Sequence, residues 1–109
     1  MGAVALAWGG WVGRGMDLAA LRARVDEVDQ QIVALLAERR RLVAQMGPVK
    51  AALGLPALDP GREAEARARL LGAATNLGLP ELLVQQIFDA VLADSRQVVS
   101  RSLKGSGPG

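Results

Sequence analysis

This chain contains no histidine and no cysteine. It therefore lacks the commonest general base, the commonest metal ligand and any thiolate nucleophile. Its chemistry must run on Arg, Lys, Asp, Glu, Ser and backbone groups. Two cations stand out by position. Leu18, Leu21, Val25, Val28, Ile32 and Leu35, then Leu42, Met46, Val49 and Leu53, recur at alternating spacings of three and four, and the missing beat falls on Arg39. Lys50 follows Arg39 at a distance of ~20° in helical phase and ~16 Å along the axis. Side chains of that length, leaning together, could grip opposite ends of one small anion. The plainer reading of Arg39 is a polar device that fixes register in a helical seam.

Other polar residues have weaker claims. Arg22 lies ~25 Å before Arg39 on the same helix and cannot reach the same pocket within one chain. In an antiparallel pair of long helices it could serve the partner's site; otherwise it is a solvated surface arginine. Arg62 and Glu63 fall in the first turn of the next helix, where the dipole favours Glu63 and disfavours Arg62. Ser95 interrupts the apolar stripe of the last helix. Arg40 and Arg41 point away from Arg39 and read as solvated or paired with Glu38. "REAEARAR" reads as an exposed face of alternating sign.

The elements that must carry these residues are helices. Half the chain is apolar but only 3% is aromatic, and the abundance of Ala and Leu favours helix over strand. The periodic seam predicts a first helix from about Asp17 to Leu53, ~55 Å long at ~1.5 Å per residue. A seam of that length needs a second chain to cover it. Pro48 lies inside it, yet the apolar phase continues through Val49 and Leu53, which predicts a kinked continuous helix. Asp59 followed by Pro60 reads as an N-cap with proline at the first helical position, starting a second helix over about Pro60 to Ala74. In "TNLGLP", Asn76 and Gly78 suit left-handed backbone. A third helix runs from about Pro80 to Leu103, with an apolar stripe of Leu83, Val84, Ile87, Phe88, Val91, Leu92, Val98 and Val99.

The resulting expectation is an all-α chain of three helices, one long and N-terminal, forming an intertwined antiparallel homodimer. Residues 1–15 read as a disordered extension, 16–104 as the helical domain and 105–109 as a disordered tail. The pI is near 9.9, but the net charge is only +2. With so little aromatic surface for stacking, this is a poor nucleic-acid footprint. No apolar run reaches the ~18 residues of a membrane span, so a cytoplasmic protein is expected.

Taken together, "LRARVDEVDQQIVALLAERRRLVAQMGPVK", "DPGRE" and "DS" on the final helix resemble the all-helical (type II) chorismate mutases over about residues 17–103. The resemblance implies a dimer with two equivalent sites and a small dicarboxylate substrate, with no metal and no cofactor. It assigns Arg39 to a substrate carboxylate, with Arg22 reaching across from the other subunit and Arg62 in the same region. Lys50 would donate to the ether oxygen, Glu63 and the backbone near Asp59 would receive the ring hydroxyl, and Ser95 would bond a carboxylate. The activity implied is the pericyclic conversion of chorismate to prephenate, which needs no proton transfer.

The sequence departs from the family pattern at Val99. Members usually carry Gln or Glu four residues after the serine, sharing the ether oxygen with the lysine. Valine cannot donate, and Gln97 points to a different face, so Lys50 would act alone. Three readings follow: a chorismate mutase, a mutase for 4-amino-4-deoxychorismate or an isochorismate pyruvate lyase, or a catalytically degenerate helical dimer that regulates a partner enzyme. Retention of the cations together with Glu63 and Ser95 argues against the last.

Overall fold

The structure, a computed structural model, describes residues 17–105, and these are all-α. Three helices follow one another: α1 (Leu18–Leu53), α2 (Pro60–Asn76) and α3 (Glu81–Gly105). The expected extension at 1–15 and the last residues of the expected tail lie outside the described residues. Among the described residues, no helix is long and apolar enough to cross a membrane.

Each boundary has a local cause. Asp17 caps α1: its Oδ1 accepts from the Ala20 amide at 2.8 Å and its carbonyl accepts from the Leu21 amide at 3.1 Å. The helix continues through Pro48, as the unbroken apolar phase predicts. It stops at Gly54, which adopts φ +68°. There the Leu55 amide donates to the Lys50 carbonyl at 2.8 Å and the Gly54 amide to the Ala51 carbonyl at 3.2 Å. This paired closure ends a helix in left-handed backbone.

The end of α2 repeats the device. Gly78 has φ +72°, the Leu79 amide donates to the Ala74 carbonyl at 2.9 Å, and the Gly78 amide donates to the Thr75 carbonyl at 3.1 Å. Gly78 alone takes the left-handed conformation. Asn76 remains helical, so α2 runs two residues beyond the expected Ala74. α3 likewise extends to Gly105, past the expected Leu103, and so takes in the first residue assigned to the tail.

The chain divides into two compact units, Met1–Ala37 and Glu38–Gly109. In the first, the described residues are the start of α1, whose apolar side chains other than Ala20 and Leu21 face solvent. In the second, Val43, Ala74, Val84, Leu92 and Val99 form the buried core, and α2 packs on α3. Arg67 of α2 bridges to Asp89 of α3 at 2.5 Å. The charged run of α2 is thus more than a solvated face.

The apolar seam of α1 is not what the chain buries in itself. Its members other than Leu21 are between 47% and 68% exposed, while Val43 and Gly47 are buried. At ~100° per residue, Val43 and Gly47 lie about 40° and 80° to one side of Arg39, and Leu42 and Val49 about 60° and 80° to the other. The helix therefore carries two adjacent apolar stripes, and only one of them is covered within the chain. Arg39 stands on the boundary between the two stripes.

Gly47 marks a close approach of α1 to α3. A Cβ built there would lie 2.8 Å from the Ser102 Cβ and 2.9 Å from the Leu103 backbone nitrogen. The hydroxyl of Ser102 can turn aside, but the backbone of α3 cannot. Gly72, in mid-α2, has open space where a Cβ would project. In urea unfolding, Gly47→Ala is expected to lose about 1–3 kcal/mol through overpacking. Gly72→Ala is expected to gain about 0.5–1 kcal/mol from helix propensity. Equal responses at the two positions would show that α1 and α3 do not meet at Gly47.

Candidate active site

The charged residues singled out by type and spacing within 38–105 converge on one cleft of about 160 Å³. Arg39, Val43, Met46 and Lys50 of α1 form one wall, on the phase shared by Arg39 and Lys50. Asp59, Arg62, Glu63 and Ala66 supply a second wall from the start of α2, and Leu92, Ser95, Arg96 and Val99 a third from α3. Ala57 and Leu58 close it from the connecting turn. Arg22 lies in the other unit and is exposed.

Each polar group is held by a specific partner. The half-buried guanidinium of Arg39 donates from Nη1 to Ser95 Oγ. Ser95 spends its own proton on the Val91 carbonyl at 2.9 Å, so its lone pair faces the arginine. The ammonium of Lys50 donates to the Ala57 carbonyl at 2.7 Å, and the turn after Gly54 brings that carbonyl back beneath it. An ammonium has three donors, so two remain for a guest.

Asp59 acts as the N-cap of α2, its Oδ1 accepting from the Arg62 amide at 3.1 Å, with Pro60 behind it in the first turn. The cap fixes the first turn and with it the backbone of Arg62 and Glu63. Arg62 is exposed and lies 3.9 Å from Glu65, a contact of little energetic weight. Glu63 is half-buried and receives a guanidinium from across the cleft: Arg96 Nη1 lies 3.4 Å from its Oε1. Val99 is 5% exposed and forms apolar wall.

Arg40 and Arg41 behave as surface cations. Arg40 pairs with Asp94 at 2.8 Å, and Arg41 pairs with Glu38 as expected. Arg96 was not singled out by the sequence reading. The signal was present: Arg96 lies four residues after Leu92 and three before Val99, at the edge of the buried stripe of α3. In the cleft, four cationic side chains face two anionic ones, Asp59 and Glu63. An apolar floor with surplus positive charge is a cleft for a small anion.

Comparison with known proteins identifies the family. Residues 21–99 match the family described as chorismate mutase type II. The chain belongs to that family. It is 40% identical to a T-protein of Enterobacter agglomerans over 79 residues, covering 72% of this chain and 21% of that protein. It is 29% identical to a chorismate mutase of Methanocaldococcus jannaschii over 87 residues, covering 80% of this chain and 88% of that one. It is 32% identical to the bifunctional chorismate mutase/prephenate dehydratase of Escherichia coli over 78 residues, covering 72% of this chain and 20% of that protein. The chain thus spans about a fifth of two of these relatives and most of the third. The matched residues include every cleft position named above.

The cap at Asp59 yields a direct test of how this type II mutase family member positions Arg62 and Glu63. Asp59→Ala is expected to cost about 1 kcal/mol of stability, and Asp59→Asn much less, because the amide oxygen still accepts from the Arg62 amide. Equal losses for the two variants in urea unfolding would show that the carboxylate charge, not the cap, is what matters.

Proposed function

We propose that this chain is a chorismate mutase, converting chorismate to prephenate in aromatic amino acid biosynthesis. The observation that carries the reading is the convergence of Arg39, Lys50 and Glu63, from two different helices, on one cleft. The rearrangement is intramolecular: the ether C–O bond breaks as a new C–C bond forms within the same molecule. No nucleophile or proton transfer is needed, which suits a chain without histidine or cysteine.

The protein then has two tasks, to hold a flexible dicarboxylate in its compact reactive shape and to place positive charge where negative charge develops. Arg39 and Arg62 serve the first, since a guanidinium fork matches a carboxylate with two parallel bonds. In place of the carboxylate contact expected of it, Ser95 aims Arg39 by accepting from it, because its own proton goes to the Val91 carbonyl. Lys50 serves the second with the donors that Ala57 leaves free, aimed at the ether oxygen. Glu63 accepts from the ring hydroxyl. Val99 supplies shape but no hydrogen bond, so the electrostatic work at the ether oxygen falls on Lys50 alone.

Direct assay of the purified protein with chorismate, isochorismate and 4-amino-4-deoxychorismate tests the reading; no turnover of chorismate by folded protein would overturn it. Lys50→Ala is expected to reduce kcat by about two to three orders of magnitude, since losing one preorganised donor costs about 3–4 kcal/mol. Circular dichroism should report an intact fold. Full activity in that variant would remove Lys50 from the mechanism.

The same reading includes an antiparallel homodimer in which Arg22 of each copy completes the other's site. The exposed stripe from Leu18 to Leu35 supports it: apolar side chains recur there at helix-pairing spacing and the chain's own core does not cover them. Arg22→Ala and Lys50→Ala should each be nearly inactive. Refolded together in equal amounts, they should recover about a quarter of wild-type activity, because half the dimers carry one intact site. Failure of the mixture to exceed the separate variants would place Arg22 in its own chain's site or in none.

A further inference from the structure

Arg96 has no part in the mechanism above, yet its guanidinium lies in the cleft wall, 3.4 Å from the Glu63 carboxylate. Both side chains are partly shielded, at 39% and 31% exposed. Resting on the chorismate mutase reading, we propose that Arg96 is a specificity-determining positioning residue: by occupying Oε1 of Glu63 it makes the cleft select a ring hydroxyl over a ring ammonium.

The argument is one of local charge. A carboxylate has two oxygens and about four lone-pair sites. Arg96 takes one oxygen and leaves the other free to accept from a neutral hydroxyl. Such a hydrogen bond needs a lone pair, not net negative charge, so the neighbouring guanidinium costs it little. An ammonium in the hydroxyl's place meets different conditions. Its attraction to Glu63 is largely cancelled by Arg96, a like charge a few ångströms further on.

The free oxygen therefore accepts a neutral donor and gains little from a charged one. Because the pair is only partly exposed, solvent screens this discrimination incompletely. An opposed pair of charges at such a spacing changes relative binding by about tenfold or more at the effective dielectric of a protein surface. Removing Arg96 leaves Glu63 as an uncompensated anion, which then attracts an ammonium strongly. The hydroxyl compound loses only the orientation of its acceptor.

The experiment compares kcat/KM for chorismate and for 4-amino-4-deoxychorismate, the analogue with an ammonium at the hydroxyl position. It uses the wild-type chain, Arg96→Gln, Arg96→Lys and Arg96→Met, with the fold of each verified by circular dichroism. In Arg96→Gln the ratio of amino compound to chorismate should rise about tenfold or more. Most of that change should appear as a lower KM for the amino compound. Arg96→Lys should keep the wild-type ratio, since the charge remains beside Glu63. Arg96→Met supplies a second uncharged variant that keeps the aliphatic stem, and it should match Arg96→Gln. A ratio that moves less than threefold in the uncharged variants, while the wild-type chain converts chorismate, would overturn the role of Arg96 alone. A wild-type chain that converts neither compound would overturn the function on which it rests.

Discussion

The guanidinium of Arg39 is half-buried, and the partner it meets, Ser95 Oγ, is neutral. That single contact sets the terms for the whole cleft. A serine hydroxyl satisfies one donor of the guanidinium but supplies no counter-charge, so the electrostatic cost of drawing the arginine out of water is left standing. Lys50 repeats the arrangement, its ammonium meeting the backbone carbonyl of Ala57. Of the two anions in the cleft, Asp59 caps α2 and Glu63 is engaged by Arg96. The cleft thus holds oriented donors with more positive than negative charge among its lining side chains. An anion that binds there stabilises the folded state by an amount that grows with the logarithm of its concentration relative to Kd.

Much of what fixes the positions of those donors is local. The left-handed turn at Gly54 reverses the chain so that the Ala57 carbonyl reaches Lys50. The Asp59 cap sets the direction in which α2 leaves, and with it Arg62 and Glu63. Gly47 lets the backbones of α1 and α3 approach closely between the Arg39 and Lys50 turns of α1. Preorganisation of this kind is what the proposed intramolecular rearrangement demands. The donors must already stand where charge will develop, because no proton transfer or covalent step supplies a second chance.

Much of this was legible in the sequence because it depends on short-range rules. The Asp59–Pro60 cap, the helix boundaries to within a few residues, and the shared phase of Arg39 and Lys50 all follow from backbone geometry. What could not be read depends on tertiary neighbours. Periodicity identified one apolar stripe on α1, whereas the chain buries a second one centred on Val43 and Gly47. A glycine carries no hydropathy signal, and its meaning arises only from the helix that passes over it. Arg96 was hidden for the opposite reason. A charge in a helical sequence reads as solvated unless an oppositely charged residue is known to face it, and Glu63 is thirty-three positions away.

The uncovered stripe of α1 has a consequence that joins fold to function. Most of the stability of a helix in a protein comes from packing of an apolar face, because each backbone hydrogen bond adds little in water. In the unit Met1–Ala37 the described apolar side chains other than Ala20 and Leu21 face solvent, so packing within that unit contributes little stability to it. Under the proposed pairing, the same contact that covers Leu18, Val25, Val28 and Ile32 also brings Arg22 to a cleft. Assembly and active-site completion then become one equilibrium. Dilution would remove the Arg22 guanidinium, a donor to the substrate carboxylate, from the cleft together with the apolar cover from the helix, and activity per chain would fall as the paired fraction falls. A monomeric site of the same residues would show no such dependence, so the concentration dependence of specific activity separates a cleft that is complete within one chain from one that is shared.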